Sequence, residues 1–212
     1  MTKLSKAFPA LIVAAVITAL GSPAFADTTW SVSNGGDVTG TLKSGTSAVL
    51  RDVTTSQNIT CTVASSSGSV PTGTGLPGSG LGSITAASFG TPASKCSGPF
   101  FSTFTVALKP GTTWSVNAGS YSGGVTTGTI TGVDSLVTGS SFLGACNMEV
   151  TGEVDSVTYN NSTGELTISP DATPQLKVSN LSGTGCGFIQ NGDKSTMSAT
   201  FVLSPAVQIT SP

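Results

Sequence analysis

The amino-acid sequence predicts an all-β protein, a single compact β-sandwich or barrel built from two pseudo-symmetric tandem repeats and held by two disulfides. Three observations support this fold class. Apolar residues alternate with Ser and Thr at period two, which is typical of half-buried strands. Gly and Pro recur too often for a long helix. A five-residue stretch containing the chain's only two tryptophans occurs twice, as Thr28–Val32 and Thr112–Val116.

The same landmarks follow each tryptophan, which indicates a tandem duplication. Cys61 lies 31 residues after Trp30, and Cys146 lies 32 residues after Trp114. A second cysteine and an apolar, strand-like run that ends in Pro come next in both copies. We therefore place the first repeat at about 27–111 and the second at about 112–212, with both tryptophans in equivalent buried positions.

Residues 1–26 have the features of a signal peptide. Lys3 and Lys6 supply the positive start, Ala7–Leu20 is the apolar segment, and Ala24–Ala26 is a small-x-small cleavage site. The apolar segment is shorter than the roughly 20 residues of a membrane span. We expect export, with residues 27–212 as one β domain and a secreted, extracellular or cell-envelope location.

The junction of the repeats predicts how their strands pair. Only Lys109–Thr112 separates the run Phe104–Leu108 from the Trp114 strand, and its Pro-Gly centre is typical of a tight turn. The two strands should then form a hairpin. By pseudo-symmetry, Ala199–Leu203 should pair with the Trp30 strand and close the sheet. Two separate sandwiches are the alternative.

Four cysteines in an exported chain indicate two disulfides, with three connectivities open. If each repeat folds alike, Cys61 pairs with Cys96 and Cys146 pairs with Cys186. Each bond would close a loop of 35 to 40 residues and stabilise the fold by about 4 kcal/mol in the chain-entropy treatment. A metal site is the rival interpretation, and the lack of His and of a C-x-x-C pair argues against it.

Between their cysteines the repeats differ. The first has Ser65–Ser83, a run rich in Gly, Ser, Pro and Thr that predicts a long mobile loop. The second has a hairpin pattern, in which Val154–Tyr159 is followed by a polar turn at 160–164 and then by Leu166 and Ile168.

The only clustered carboxylates are Glu149, Glu153 and Asp155, which a strand would place on one face. Residues two apart on a strand are separated by about 6.8 Å, within the range of a glycosidase pair. No Trp or Arg lies nearby in the sequence to hold a sugar, so a solvated strand face is the favoured interpretation. Calcium binding through these oxygens is preferred to catalysis.

Enzyme activity is not expected, and no cofactor or metal is predicted. The chain has no His, which excludes Ser/His and Cys/His nucleophilic sites. The tryptophans could form a sugar-stacking platform, but each alternates with Ser as a core residue would. Tyr121 and Tyr159 are the better candidates for exposed aromatic rings.

The charge pattern bears on partners. Without the two lysines of the signal segment, six basic residues face ten acidic ones, a net charge of −4. Nucleic-acid binding depends on clustered Lys and Arg, so we expect no nucleic-acid partner. Charged residues make up 8% of the chain against about 25% in ordinary domains. A neutral surface of Ser, Thr, Gly and Asn suits proteins that adhere or assemble outside the cell.

Four segments resemble a family of small secreted proteins of actinobacteria: Gly82–Phe89, Val125–Gly132, Ile189–Asp193 and Ser204–Pro212. The likeness covers essentially the whole mature chain. The family is uncharacterised, so the resemblance implies export and a cell-envelope context, and it transfers no functional residues.

These observations together predict a secreted, non-enzymatic structural or interaction protein of the cell envelope or extracellular space. The sequence identifies no partner, and self-association or a cell-wall component are the candidates. One alternative is a carbohydrate- or small-ligand-binding β domain, which needs a groove with exposed aromatics. A second is a porin-like envelope subunit, which needs strands of about 9–11 residues and aromatic girdles. The 13 aromatic residues of the chain are few for such girdles.

Overall fold

The computed structural model describes residues 29–211, and it confirms the all-β class. The predicted signal peptide lies outside the described residues. In the described part of the chain, no helix is long and apolar enough to cross a membrane. The first eight strands are β1 (Trp30–Ser33), β2 (Gly36–Leu42), β3 (Ala48–Asp52), β4 (Asn58–Cys61), β5 (Ala64–Val70), β6 (Gly73–Leu76), β7 (Gly82–Phe89) and β8 (Cys96–Ser97). After a 3-10 turn at Pro99–Phe101 come β9 (Thr103–Leu108), β10 (Trp114–Ser122), β11 (Val125–Ser141), β12 (Gly144–Asn160), β13 (Glu165–Ile168), β14 (Leu176–Ser182), β15 (Lys194–Ser204) and β16 (Gln208–Thr210).

Antiparallel pairing closes the sheet into two rings of eight strands, stacked end to end. The ring that we call the cavity ring runs β2–β5–β7–β10–β11–β12–β13–β15 and returns to β2. The other, the disulfide ring, runs β3–β4–β8–β9–β11–β12–β14–β15 and returns to β3. Closure leaves no unpaired strand edge around either ring, which protects a protein with little surface charge from edge-to-edge aggregation.

Three long strands join the rings. β11 and β12 have 17 residues each and form a hairpin along the whole molecule, while β15 has 11. The first half of β15 pairs with β3 and its second half with β2 and β13. Such strands change neighbours partway along their length, and this gives both rings a common apolar interior.

A small sheet of three strands, in the order β16–β1–β6, covers the open end of the cavity ring. We call it the lid. Its buried side chains form a cluster with residues of the ring below: Trp30, Val32, Val38, Leu81, Tyr159, Val207 and Ile209. A second, larger cluster fills the disulfide ring and the adjoining half of the cavity ring, with Phe104, Ile130 and Val154 fully buried. The molecule therefore has two apolar clusters along one axis.

The predicted hairpin at Pro110-Gly111 is wrong, although the turn itself forms, with the Thr112 N–H donating to the Lys109 carbonyl at 3.1 Å. Strand β9 pairs with the second half of β11, and β10 pairs with its first half. Both run antiparallel to β11, so they follow each other in line along its edge. The turn therefore does not reverse the chain, and β9 and β10 run in the same direction. This is possible because β11 is long enough to bond to both strands.

The predicted pairing of Ala199–Leu203 with the Trp30 strand is also wrong. Residues 199–204 pair with β13 and β2, and the Trp30 strand pairs instead with β16, the last strand of the chain. The cis Ser204-Pro205 bond separates β15 from β16. The chain ends do meet in one sheet, but that sheet is the lid.

The predicted loop Ser65–Ser83 is mostly strand. β5 pairs with β2 on one side and with β7 on the other, and β6 joins the lid. Small side chains allow this close packing, and a Cβ at Gly68 would collide with the carbonyl oxygen of Ser83. Composition alone was misleading because backbone hydrogen bonds to two neighbours, rather than side-chain burial, order the segment.

The predicted hairpin of the second repeat is confirmed as β12–β13, with Val157 opposite Ile168 and Tyr159 opposite Leu166. Both tryptophans are buried, as expected. Trp30, however, lies in the lid and Trp114 in the cavity ring, between different partner strands. The predicted repeat symmetry is therefore not shown.

Candidate functional site

The four cysteines form the predicted bonds, Cys61–Cys96 and Cys146–Cys186, with Cα–Cα distances of 4.2 and 4.8 Å. All four are buried, and both bonds lie in the disulfide ring. The first ties β4 to the short strand β8, which has only two residues. The second ties β12 to the irregular segment after β14. Their role is structural, and two disulfides fit an oxidising compartment outside the cytosol.

The predicted carboxylate face does not form a cation site. Glu149 Oε2 lies 3.0 Å from Lys109 Nζ and accepts a hydrogen bond from Asn180 Nδ2 at 2.8 Å. The Lys109 hydrogen bond, and then the Asn180 one, lower the pKa of Glu149, and Glu149 in turn raises the pKa of Lys109. Glu153 and Asp155 are exposed. Within residues 29–211, no three His, Cys, Asp or Glu side chains cluster closely enough to hold a metal ion.

The expectation of exposed tyrosines is wrong for Tyr159, which is buried and donates its hydroxyl hydrogen to the Val207 carbonyl at 2.7 Å. Tyr121 is half-buried. Burial raises the pKa of the Tyr159 hydroxyl, which keeps it a neutral donor. Its bond ties β12 to the segment that enters the lid. Neither tyrosine offers an open stacking surface for a sugar.

The exposed aromatic rings are instead phenylalanines at the far end of the disulfide ring. This surface, which we call the aromatic end, consists of five side chains with the exposed fractions Phe101 96%, Phe142 75%, Phe188 65%, Leu143 50% and Phe100 41%. Most soluble proteins bury side chains of this size, since exposing them forfeits about 1.5–3 kcal/mol each.

Three loops bring these residues together. Phe100 and Phe101 come from the turn between β8 and β9, and Phe142 and Leu143 form the tip of the β11–β12 hairpin. Phe188 follows the cysteine of the second disulfide. The rings of Phe100 and Phe188 meet edge to face with centroids 5.2 Å apart. The Thr184 hydroxyl donates to the Leu143 carbonyl and so links the loop that carries Phe188 to the hairpin tip.

The backbone of the first loop is strained as well as exposed. Phe100 and Phe101 have φ values of 53° and 56°, a left-handed conformation that bulky residues rarely adopt. Such a conformation costs on the order of 1 kcal/mol or more per residue. Gly or Asn would remove the strain and the exposed ring together. Two unfavourable features at one position point to a function for the side chain.

The aromatic end carries no charge. The three loops, 98–102, 141–144 and 183–190, contain no Asp, Glu, Lys or Arg. A partner held there must be recognised by apolar contact, without electrostatic steering.

A second feature lies inside the molecule, between the two apolar clusters of the cavity ring. Here lies a cavity with a volume of about 90 Å³. Its walls are mostly apolar side chains of both clusters, and they include Val38, Ile84, Val157, Tyr159 and Leu203. Four lining positions are glycines, Gly40, Gly68, Gly82 and Gly128. At Gly68 and Gly128 a Cβ would collide with a backbone carbonyl oxygen of the neighbouring strand, so these glycines allow the strands to pack closely.

One polar group in this cavity has no partner. Thr126 is 5% exposed, and its Oγ1 forms no hydrogen bond with any group of residues 29–211. It pairs across β11–β12 with Tyr159, so both side chains lie on the interior face of the sheet. The Tyr159 hydroxyl is already engaged with Val207. The Thr126 hydroxyl is thus free to bond to a molecule in the cavity.

The side chain of Asn161 fastens the last strand of the lid. Asn161 Nδ2 donates to the Ile209 carbonyl at 2.7 Å, and its Oδ1 accepts from the Ile209 N–H at 3.0 Å. The side-chain amide thereby mimics a neighbouring strand for β16. Gln208 Nε2 donates to the Asn161 carbonyl at 3.1 Å. These bonds and the Tyr159 bond fasten the lid to the β12–β13 hairpin.

Comparisons with protein-family models, curated proteins and solved structures find no significant match to this chain. The resemblance to an actinobacterial family therefore stays a prediction.

Sequence reasoning missed both features. The aromatic end does leave a local signal, because Phe100-Phe101 and Phe142-Leu143 place adjacent bulky apolar residues in turns, where polar residues are normal. The cavity leaves none, since nothing local distinguishes Thr126 from the other threonines of β11.

Proposed function

We propose that this protein is an exported, non-enzymatic interaction protein, and that its aromatic end attaches it reversibly to an apolar lipid surface of the cell envelope. The observation that carries the proposal is the convergence of five exposed apolar side chains on one uncharged end. The absence of His from the chain and the commitment of Glu149 to Lys109 support a non-catalytic role.

The size of the aromatic end favours a lipid surface over a second copy of the chain. Taking about 200 Å² for each large side chain, the exposed fractions of all five amount to roughly 650 Å². A stable protein–protein interface buries about 800 Å² on each partner. The rings also project from separate loop tips, and a fluid acyl layer can accept them without a complementary shape.

The expected affinity is modest. Phe101, Phe142 and Phe188 are the three most exposed side chains, and burying a phenylalanine contributes about 1.5–3 kcal/mol. Scaled by the exposed fractions of the three rings, their combined insertion gives roughly 4–7 kcal/mol, comparable to the marginal, reversible anchoring by one myristoyl chain. With no basic residue in the three loops, the attachment should not depend on anionic lipid or on salt.

Co-sedimentation with vesicles of zwitterionic phosphatidylcholine tests the proposal. Phe101→Ser and Phe142→Ser should each weaken binding by about 10- to 100-fold, while the fold is unchanged because both side chains are outside the core. Val202→Ser is the matched control, since it removes an exposed apolar side chain (41%) from β15, away from the aromatic end. The control should bind like the wild type.

Two results would contradict the proposal. One is vesicle binding that is absent in the wild type or equal in Phe101→Ser and Val202→Ser. The other is a dimer, detected by analytical ultracentrifugation, that Phe101→Ser dissociates, since this would assign the aromatic end to self-association.

A further inference from the structure

We infer that the cavity ring is a binding site for one small, neutral, mainly apolar molecule that carries a single hydrogen-bonding group, and that Thr126 recognises this group. The inference is independent of the aromatic end, which lies at the opposite pole of the molecule.

The shape of the site supports a ligand. A closed ring of eight strands is just wide enough for side chains to fill its interior or for one small ligand. Here a space of about 90 Å³ remains between the apolar side chains of the ring and the lid. Protein interiors are normally packed with few voids larger than a water molecule, and each unfilled space lowers stability. A space of this size beneath a dedicated lid is therefore better explained by an occupant than by poor packing.

The lining defines the ligand's chemistry. No Asp, Glu, Lys or Arg is among the lining residues, so a charged ligand would lose its hydration without a counter-charge. This excludes ionised fatty acids and amines. The free Thr126 hydroxyl both donates and accepts, so a hydroxyl, carbonyl or ether oxygen on the ligand satisfies it. A ligand wholly without polar atoms would leave that hydroxyl unpaired.

The lid provides the route of entry. It consists of three strands of three or four residues each, and its last strand is fastened by the side chain of Asn161. Short strands at chain ends open at lower free energy than the ring strands beneath them. Val207 and Ile209 line the cavity from above, so displacing β16 exposes its interior.

Phenol and benzene are suitable probes for a cavity of about 90 Å³, because both are neutral, apolar and similar in size, and only phenol carries a hydroxyl. Titrations followed by NMR chemical shifts and by calorimetry should show tighter binding of phenol to the wild type. Thr126→Val keeps the side-chain shape and removes the hydroxyl. It should weaken phenol binding by about 3- to 10-fold and leave benzene binding unchanged.

Two further variants locate the site. Ala118→Phe places a large ring at a lining position and should abolish binding of both probes. Phe101→Ser changes the aromatic end alone and should leave both affinities unchanged, which separates this inference from the proposed lipid attachment. If Ala118→Phe does not fold, the comparison of the two probes on the wild type and Thr126→Val still tests the inference.

Three results would overturn the inference. The first is that neither probe binds the wild type up to its solubility limit. The second is that Thr126→Val leaves the preference for phenol over benzene intact. The third is that Phe101→Ser, and not Ala118→Phe, removes binding.

Discussion

We expect removal of the unpartnered Thr126 hydroxyl to stabilise the protein, whereas most core substitutions destabilise. A buried hydroxyl without a hydrogen bond costs about 1–3 kcal/mol relative to an apolar group of the same shape. Thr126 is 5% exposed, and its Oγ1 has no hydrogen-bond partner in the part of the chain that the structure describes. Thr126→Val replaces that hydroxyl with a methyl group of similar size, and the adjoining cavity leaves room for it. We expect the empty protein to gain about 1–2 kcal/mol in free energy of unfolding.

The assay is guanidinium unfolding with the disulfides intact, on protein that has first been unfolded and refolded to release any bound apolar molecule. For a domain of this size the gain corresponds to a rise in melting temperature of roughly 3–6 °C. Thr112→Val is the matched control, because the Thr112 hydroxyl donates to the Lys109 carbonyl at 2.7 Å. That variant should lose about 0.5–1.5 kcal/mol.

An unchanged or reduced free energy of unfolding for Thr126→Val, with an unchanged denaturant slope, would refute this reasoning. It would mean that the hydroxyl has a partner in solution.

Two further predictions concern pH and the lid. Burial raises the pKa of Asp171 above its ordinary value of 3.8, although hydrogen bonds from the backbone N–H groups of residues 155 and 156 oppose the rise. The folded state therefore binds more protons than the unfolded state, and the free energy of unfolding falls as pH rises above that value. Asp171→Asn should flatten this fall in unfolding experiments from about pH 4 to about pH 7, whereas the exposed control Glu153→Gln should keep it. Equal pH slopes in the wild type and both variants would contradict the prediction. Asn161→Ala removes both side-chain bonds to Ile209 and should cost about 1–3 kcal/mol, with faster hydrogen exchange confined to the lid. Asn58→Ala, in the disulfide ring, should leave lid exchange unchanged, and an equal effect of both variants would show that the asparagine clamp does not hold the lid.

The pairing of strands shows where sequence reasoning reached its limit. Alternation of apolar and polar residues along β4, β9 and β12 predicted strands that the structure confirms, because the two faces of a strand are set by local geometry. The Pro110-Gly111 turn was recognised, yet the partners of the strands around it were not. A turn determines local chain direction, whereas strand partners depend on the length of β11, which bonds to both.

The candidate sites show the same division. A phenylalanine pair in a turn is visible in the sequence, but the contact between Phe100 and Phe188 joins residues 88 positions apart. The Tyr159 hydroxyl reaches Val207 only because the last residues of the chain fold back over the ring. Neither relation follows from spacing along the chain.

The sequence by itself predicted the all-β class from period-two alternation. It predicted the cysteine pairs from an assumed duplication, and the structure shows the pairs without showing the repeat symmetry. Only the tertiary structure decided that the strands close into two rings, that the chain ends form a lid, and that Thr126 is left without a partner. These features depend on contacts between distant segments, and many pairings satisfy the same local pattern. Packing and hydrogen-bond satisfaction over the whole chain select among them.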